Sequence, residues 1–273
     1  MEFLIANEQN IRLSVFISLL LIFASLEFIS PLAKRRAARL SQWLTNISIT
    51  VINTFAIRFI LPIVAVGVSS YAAEHNYGLF NLIHLGVWPT FILSLILLDV
   101  LIYGQHVMMH KVPLLWRLHR MHHTELGFDV TSAVRFHPLE IVVSMLIKMA
   151  FVLIMGIPIA AIIVFEIILN GLALFNHSNI KLPRPLEHIM RTLFITPEIH
   201  WIHHSEIVNE TNSNYGFNLV IWDKIFGTYL DKPTLPYKDL RQGLSEFGFD
   251  KPLSVFELII SPFKNYPEEG KSK

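Results

Sequence analysis

Cysteine is absent from this chain of 273 residues. Disulfides, thiolate zinc sites, iron–sulfur clusters and thiolate-ligated haem are therefore excluded, and any metal must be held by His, Asp or Glu. Charge is scarce as well: Asp, Glu, Lys and Arg make up 16% of the residues, and the formal net charge is +1. With no basic excess, nucleic acid is not expected as a partner. Two metal signatures are also missing. His-Glu-x-x-His would supply a zinc hydrolase with two ligands and a general base. Glu-x-x-His marks the di-iron sites of soluble helical bundles.

What the chain has instead is apolar length. Hydrophobic residues account for 53% and the mean hydropathy is +0.50, the profile of a membrane protein. A first run, within residues 12–33, is long enough to cross a hydrocarbon core, which takes about 20 helical residues. Glu8 ahead of it and the lack of a small-x-small cleavage site favour a retained span over a cleaved signal peptide. Glu27 is expected at the interface. The basic cluster Lys34-Arg-Arg-Ala-Ala-Arg39 follows at once. Short loops rich in Lys and Arg stay cytoplasmic, which places the N-terminus outside; the same cluster also suits anionic lipid.

Second and third apolar segments cover residues 47–73 and 82–103. Arg58 interrupts the former, as an internally paired or a snorkelling charge. The polar turn Glu74–Gly78 is expected outside, with His75 and His84 as isolated interfacial residues. The fourth stretch, residues 139–175, is too long for one crossing of a ~30 Å core at about 1.5 Å per residue. Gly156-Ile-Pro158 near its middle predicts a break into two short spans or a dipping hairpin that begins and ends on the cytoplasmic side. The expected fold is all-α: an integral membrane helical bundle of about three spans plus a broken helical hairpin, beneath a cytosolic histidine-rich cap.

Eight of the thirteen histidines fall in three tight groups: His106-x-x-x-His110, His119-x-x-His122-His123 and His200-x-x-His203-His204. Helical positions i, i+3 and i+4 share a face, whereas adjacent positions diverge by about 100°, so one such motif can serve two metals. Eight imidazoles exceed the six positions of one octahedral ion, and two metals with four or five ligands each fit the count. Nitrogen-only ligation admits Fe, Cu, Zn or Ni and disfavours Ca and Mg. Thr196-Pro197 predicts a helix start ahead of the third group. His137 and His177 lie at the two ends of the broken hairpin, each a ligand candidate or an interfacial residue. Asp223 and Glu140 are candidate acceptors for ligand N–H groups, with Asp223 equally suited to capping the adjacent turn. His188 stands outside any group.

These groups, in this order, resemble the fatty acid hydroxylase / sterol desaturase superfamily of membrane oxygenases. Accessory matches are Arg135-Phe-His137-Pro-Leu-Glu140, His177-Ser-Asn179, Asn214-Tyr-Gly-Phe-Asn218 and Trp222-Asp-Lys-Ile-Phe-Gly-Thr-Tyr229. The resemblance implies a di-iron centre held by His106, His110, His119, His122, His123, His200, His203 and His204. His177 joins them, and His137 stands in for a second histidine that some members carry near His177. It further implies O2-dependent hydroxylation or desaturation of a lipid C–H bond. A separate electron donor, of cytochrome b5, ferredoxin or reductase type, is implied too. The expected division is an N-terminal transmembrane region (1–84), a catalytic domain (85–230) and a C-terminal cytosolic tail (231–273), frayed at Lys271–Lys273. The histidines are expected on the cytoplasmic face, of the inner membrane in a bacterium or the endoplasmic reticulum in a eukaryote. Rival readings are a zinc or copper enzyme and a metal transporter. The first lacks a general base beside a His pair; the second would place its ligands within the spans, at mid-membrane.

Overall fold

The computed structural model describes residues 2–61, 63–83 and 85–265. His84 and the Lys271–Lys273 tail lie outside them. Apolar sequence in lipid must satisfy every backbone N–H and C=O within its own segment, which an α-helix does. The long helices are α1 (Glu8–Ile29), α2 (Arg39–Ile60), α3 (Val87–Lys111), α4 (Pro113–His123), α5 (Pro138–Met155) and α6 (Ile159–Asn176). The fold is a helical membrane bundle. Among the described residues β-structure is limited to isolated bridges. Five helical segments are long and apolar enough to cross a membrane: Glu8–Ile29, Arg39–Ile83, Val87–Lys111, Pro138–Met155 and Ile159–Asn176.

The second segment differs from its expected outline. Its helix begins at Arg39 rather than near Ile47 and stops at Ile60, and a shorter helix, Ala65–Glu74, follows. The cause is Pro62, which bars helical geometry at the residue before it; Leu61 accordingly turns to φ −122°, ψ 86°. The third helix starts after Gly86, at φ +84°, and runs on to Lys111, so that its last turns carry His106 and His110. The fourth stretch breaks as expected. Gly156 closes α5 in the left-handed region (φ 67°, ψ 43°) and α6 begins at Ile159.

The hairpin tip is a packing centre. Ser69 Oγ donates to Ile157 O at 2.6 Å. A Cβ on Gly78 would lie 2.2 Å from Gly156 N, so the turn after Ala65–Glu74 sits directly on the tip. Leu98, Ile102, Val152, Ile157, Ala161 and Phe165 fill the space below it. Helix α1 runs beside α6, and α2 beside α5.

The opposite end carries the histidines. There the Glu27 carboxylate is buried, accepting from Val130 N at 2.7 Å and Asn179 N at 2.9 Å. Two cations of the basic loop are spent internally: Arg35 pairs with Asp129, and Arg39 lies 3.7 Å from Glu27. The C-terminal segment is docked rather than loose. Its helix Val255–Ile260 opens on a Ser254–Glu257 capping box, and the carbonyls of Ser261 and Lys264 accept from Arg120 Nη2 at 2.7 and 2.9 Å.

Candidate metal centre

Three local devices aim the histidines. His106 and His110 share a face on the last turns of α3. Pro113, at the first position of α4, restarts the chain as a new helix and turns His119, His122 and His123 back toward them. Thr196 caps the short helix Pro197–His203, its hydroxyl accepting from Ile199 N at 3.4 Å, and this sets His200, His203 and His204 facing the other groups. His177 is the residue that ends α6.

Nine histidines thereby form two sets: His106, His110, His119, His123 and His203, and His122, His177, His200 and His204. Within each set the ligating nitrogens all lie within 4.8 Å of one another. Both adjacent pairs, His122–His123 and His203–His204, are divided between the sets. In the larger set Nε2 of His106 lies 3.1 Å from that of His203 and 3.2 Å from that of His119, which is 3.3 Å from that of His123. In the smaller set Nε2 of His177 lies 3.1 Å from that of His122 and 3.0 Å from that of His200, which is 3.2 Å from that of His204.

The second ring nitrogens decide what these approaches mean. His106 Nδ1 donates to Tyr215 O at 2.7 Å, and His203 Nδ1 to Ser213 O at 2.7 Å. His119 Nδ1 donates to Glu140 Oε1 at 2.6 Å. In the other set His177 Nδ1 donates to Ala173 O at 2.8 Å, and His122 Nδ1 to Arg135 O at 3.2 Å. A neutral imidazole that donates from Nδ1 carries a bare lone pair on Nε2. Burial keeps the rings neutral: it pushes His203 down to about 3, and His122, His123, His200 and His204 well below the usual range. In the pairs His106–His203, His106–His119 and His122–His177 both rings donate from Nδ1, so lone pairs face one another at 3.1–3.2 Å and repel unless a cation lies between them. Two nitrogens at right angles about one ion, each about 2.1 Å from it, stand roughly 3 Å apart. The donor sets therefore fit two transition-metal ions, and their all-nitrogen chemistry suits iron, copper, zinc or nickel.

The remaining candidates separate cleanly. Glu140 orients His119, as above. Asp223 acts one step further out, accepting from Tyr215 N and Gly216 N at 2.8 Å each and from Thr228 Oγ1 at 2.6 Å. It fixes the loop whose Tyr215 carbonyl orients His106. Burial raises the Asp223 carboxyl, while these hydrogen bonds pull it back. His137 is not brought into either set. It caps α5, its Nδ1 accepting from Leu139 N at 3.2 Å while Nε2 donates to Ile259 O at 3.0 Å, so neither nitrogen has a lone pair left for a metal. His75 is remote, stacked on Tyr71 at 4.2 Å. Trp116, which lies within the His106–His123 stretch and has no role assigned from the sequence, places its ring 4.9 Å from that of His110 and 5.5 Å from that of His123. The carbonyls of Tyr215, Ser213, Ala173 and Arg135 carry no side-chain signal and are found only by folding.

A cavity of about 700 Å³ leads from this centre into the membrane bundle. His106, His119 and Glu140 form its floor, and α1, α2, α5 and α6 its walls.

Fold and site together define a membrane-embedded polyhistidine metalloprotein. The fatty acid hydroxylase family model matches residues 91–228, just over half of the chain, which belongs to that family. Among similar proteins, the ornithine lipid hydroxylase OlsE of Rhizobium tropici is 31% identical over 150 residues, covering 54% of this chain and 44% of that protein. Human alkylglycerol monooxygenase is 29% identical over 251 residues, 91% of this chain and 52% of that protein. The fatty acid hydroxylase vlmA of a Lecanicillium species is 27% identical over 177 residues, 60% of this chain and 46% of that protein. The chain thus spans about half the length of the curated relatives it matches. No solved structure is significantly similar to it.

Proposed function

We propose that the protein is a membrane oxygenase that hydroxylates a C–H bond of a lipid. In this reading His106, His110, His119, His123 and His203 hold one iron ion, and His122, His177, His200 and His204 hold a second. The observation that carries the reading is the pairing of two buried nitrogen sets, the larger of which reaches the floor of a cavity among the membrane helices through His106 and His119. Iron held by these histidines would supply O2 activation; the net change would be C–H to C–OH with the second oxygen atom leaving as water, at the cost of two electrons and two protons from outside.

The chain's own residues do the rest. Tyr215 O, Ser213 O and Glu140 keep His106, His203 and His119 in the tautomer that offers Nε2. The apolar side chains of the cavity, among them Phe16, Ile102, Met145, Leu169 and Phe217, seat an alkyl chain over the floor. Lipid as substrate class, and hydroxylation rather than desaturation, follow the relatives, one an ornithine lipid hydroxylase and another an alkylglycerol monooxygenase. The electrons come from a separate donor of cytochrome b5, ferredoxin or reductase type. The centre faces the cytoplasm, because the basic loop Lys34–Arg39 is tied to the same end of the bundle through Arg35–Asp129.

The test is metal analysis and O2 uptake on protein made anaerobically with iron, alongside lipid profiling of cells bearing wild type or His122→Ala. The expected result is two iron per chain, donor-dependent O2 uptake, and a lipid carrying one extra oxygen that vanishes in the variant. Stoichiometric zinc with no iron-dependent activity would overturn the assignment.

A further inference from the structure

The cavity above the histidines has two chemically different ends. Its middle is mostly apolar, lined by Phe16, Ile102, Met109, Met145, Leu169 and Phe217, and the polar pair there, Gln105 and Ser144, is hydrogen-bonded to itself at 2.7 Å. Beyond them, away from the floor, lie Gln9, Arg12, Arg58, Lys148 and Asn170. The separation can be read along α5, where Glu140 at the floor and Lys148 are eight residues apart, about 12 Å at the helical rise.

The charges at that far end do not cancel. Lys148 pairs with Glu166 at 2.7 Å, Arg12 pairs with the same Glu166, and Arg12 also meets Glu8 at 2.7 Å. Arg58, on α2, meets no carboxylate among the described residues. Helix α1 thus contributes Glu8 and Arg12, α2 Arg58, α5 Lys148 and α6 Glu166, which is three cations against two carboxylates. Ionisable groups at membrane depth are expensive and mark a bound partner or a pathway. A cavity meant for a hydrocarbon tail or for a neutral ring system would need none of them.

We propose that this far end binds the anionic group of a lipid, a carboxylate or a phosphate, with Arg58 as its principal contact and Arg12 and Lys148 beside it. The hydrocarbon chain then runs through the apolar middle to the histidine floor. An extended chain advances roughly 1.2 Å per bond. With the anionic group held level with Lys148, the carbon presented at the floor is in mid-chain, about ten bonds away. The position of oxidation rests on the proposed hydroxylation; the headgroup preference rests on the cavity alone.

The two parts are tested separately. In phosphatidylcholine nanodiscs at pH 8, displacement of a fluorescent fatty acid is measured with palmitate, palmityl alcohol, palmitoyl lysophosphatidic acid and cholesterol. Wild type is expected to prefer an anionic lipid over the alcohol at least tenfold, and the ratio of palmitate to lysophosphatidic acid tells which anion it takes. Arg58→Gln removes an exposed, unpaired side chain and should bring the preference within about twofold without weakening the alcohol. Arg58→Lys should retain the preference. Lys148→Gln, which leaves Glu166 paired to Arg12, should lower it in part. Equal binding of acid and alcohol by wild type, tightest binding of cholesterol, or an unchanged preference in Arg58→Gln would overturn the proposal. If the preference holds but iron-loaded protein forms no oxidised lipid, the hydroxylase reading fails and the headgroup site stands. If oxidised lipid forms with the new oxygen beside the headgroup, the mid-chain placement fails.

Discussion

Where a ring's second nitrogen has a partner, that partner decides whether the imidazole can ligate, and His137 and His177 show the rule in opposite directions. Both sit at an end of the broken hairpin, and position alone does not tell them apart. His177 Nδ1 donates to the carbonyl one turn back, Ala173 O, which frees Nε2 for the smaller set. His137 Nδ1 accepts from Leu139 N, and its Nε2 is consumed by Ile259 O, over a hundred residues downstream. That second contact depends on where the C-terminal segment docks, so no local pattern could reveal it. His177→Ala is expected to lose iron, whereas His137→Gln should keep wild-type iron per chain with a modest loss of thermal stability; metal analysis and melting in detergent separate the two. Acid should strip the site. His203, at about 3 when folded against an ordinary 6.5, binds fewer protons folded than unfolded. The stability it confers is therefore whole above about 6.5 and drains away as pH falls toward 3. Protons compete with metal for the same nitrogens, so both iron content and melting temperature should drop between pH 7 and 5. A flat profile would contradict a set of buried neutral imidazoles.

At the scale of elements, the breaks were as informative as the helices. Gly156-Ile-Pro158 announced the hairpin because a proline and a left-handed glycine act locally. Pro62 carried the same kind of signal and was read through, since the apolar run around it is continuous in composition; the structure ends α2 there. What no sequence pattern disclosed is that the turn at Gly78 rests on the hairpin tip, a contact set by the packing of separate helices. Gly156 needs φ 67°, and a Cβ there would meet Asn81 Nδ2 at 2.9 Å and Tyr77 O at 3.0 Å. Gly156→Ala should cost at least about 1 kcal/mol from the left-handed backbone alone, more from the contact. A lowered melting temperature with iron content unchanged at low temperature would show that the tip supports the bundle and not the site directly.

For the whole molecule, the convergence of three histidine groups on one end was legible, because span lengths and one hairpin fix which face each group returns to. The division into five and four was not, since it depends on helix rotations that spacing leaves free. The cavity was equally hidden, being the gap left where α1 follows α6 and α2 follows α5. Orientation can be checked directly in a chain free of cysteine. His75→Cys, at the hairpin-tip end, should react with an impermeant maleimide on intact cells, and Arg36→Cys, in the basic loop, only after permeabilisation. The reverse pattern would turn the centre outward.

The split of both adjacent pairs has a mechanical consequence. Helix α4 lends His119 and His123 to one set and His122 to the other, while Pro197–His203 and the residue after it lend His203 to the first and His200 and His204 to the second. Adjacent rings point about 100° apart on a helix, so a small roll of either helix about its axis displaces ligands of both sets at once. On the proposed assignment, binding at one set is therefore expected to alter the affinity of the other, which sequential metal titration of the metal-free protein would read.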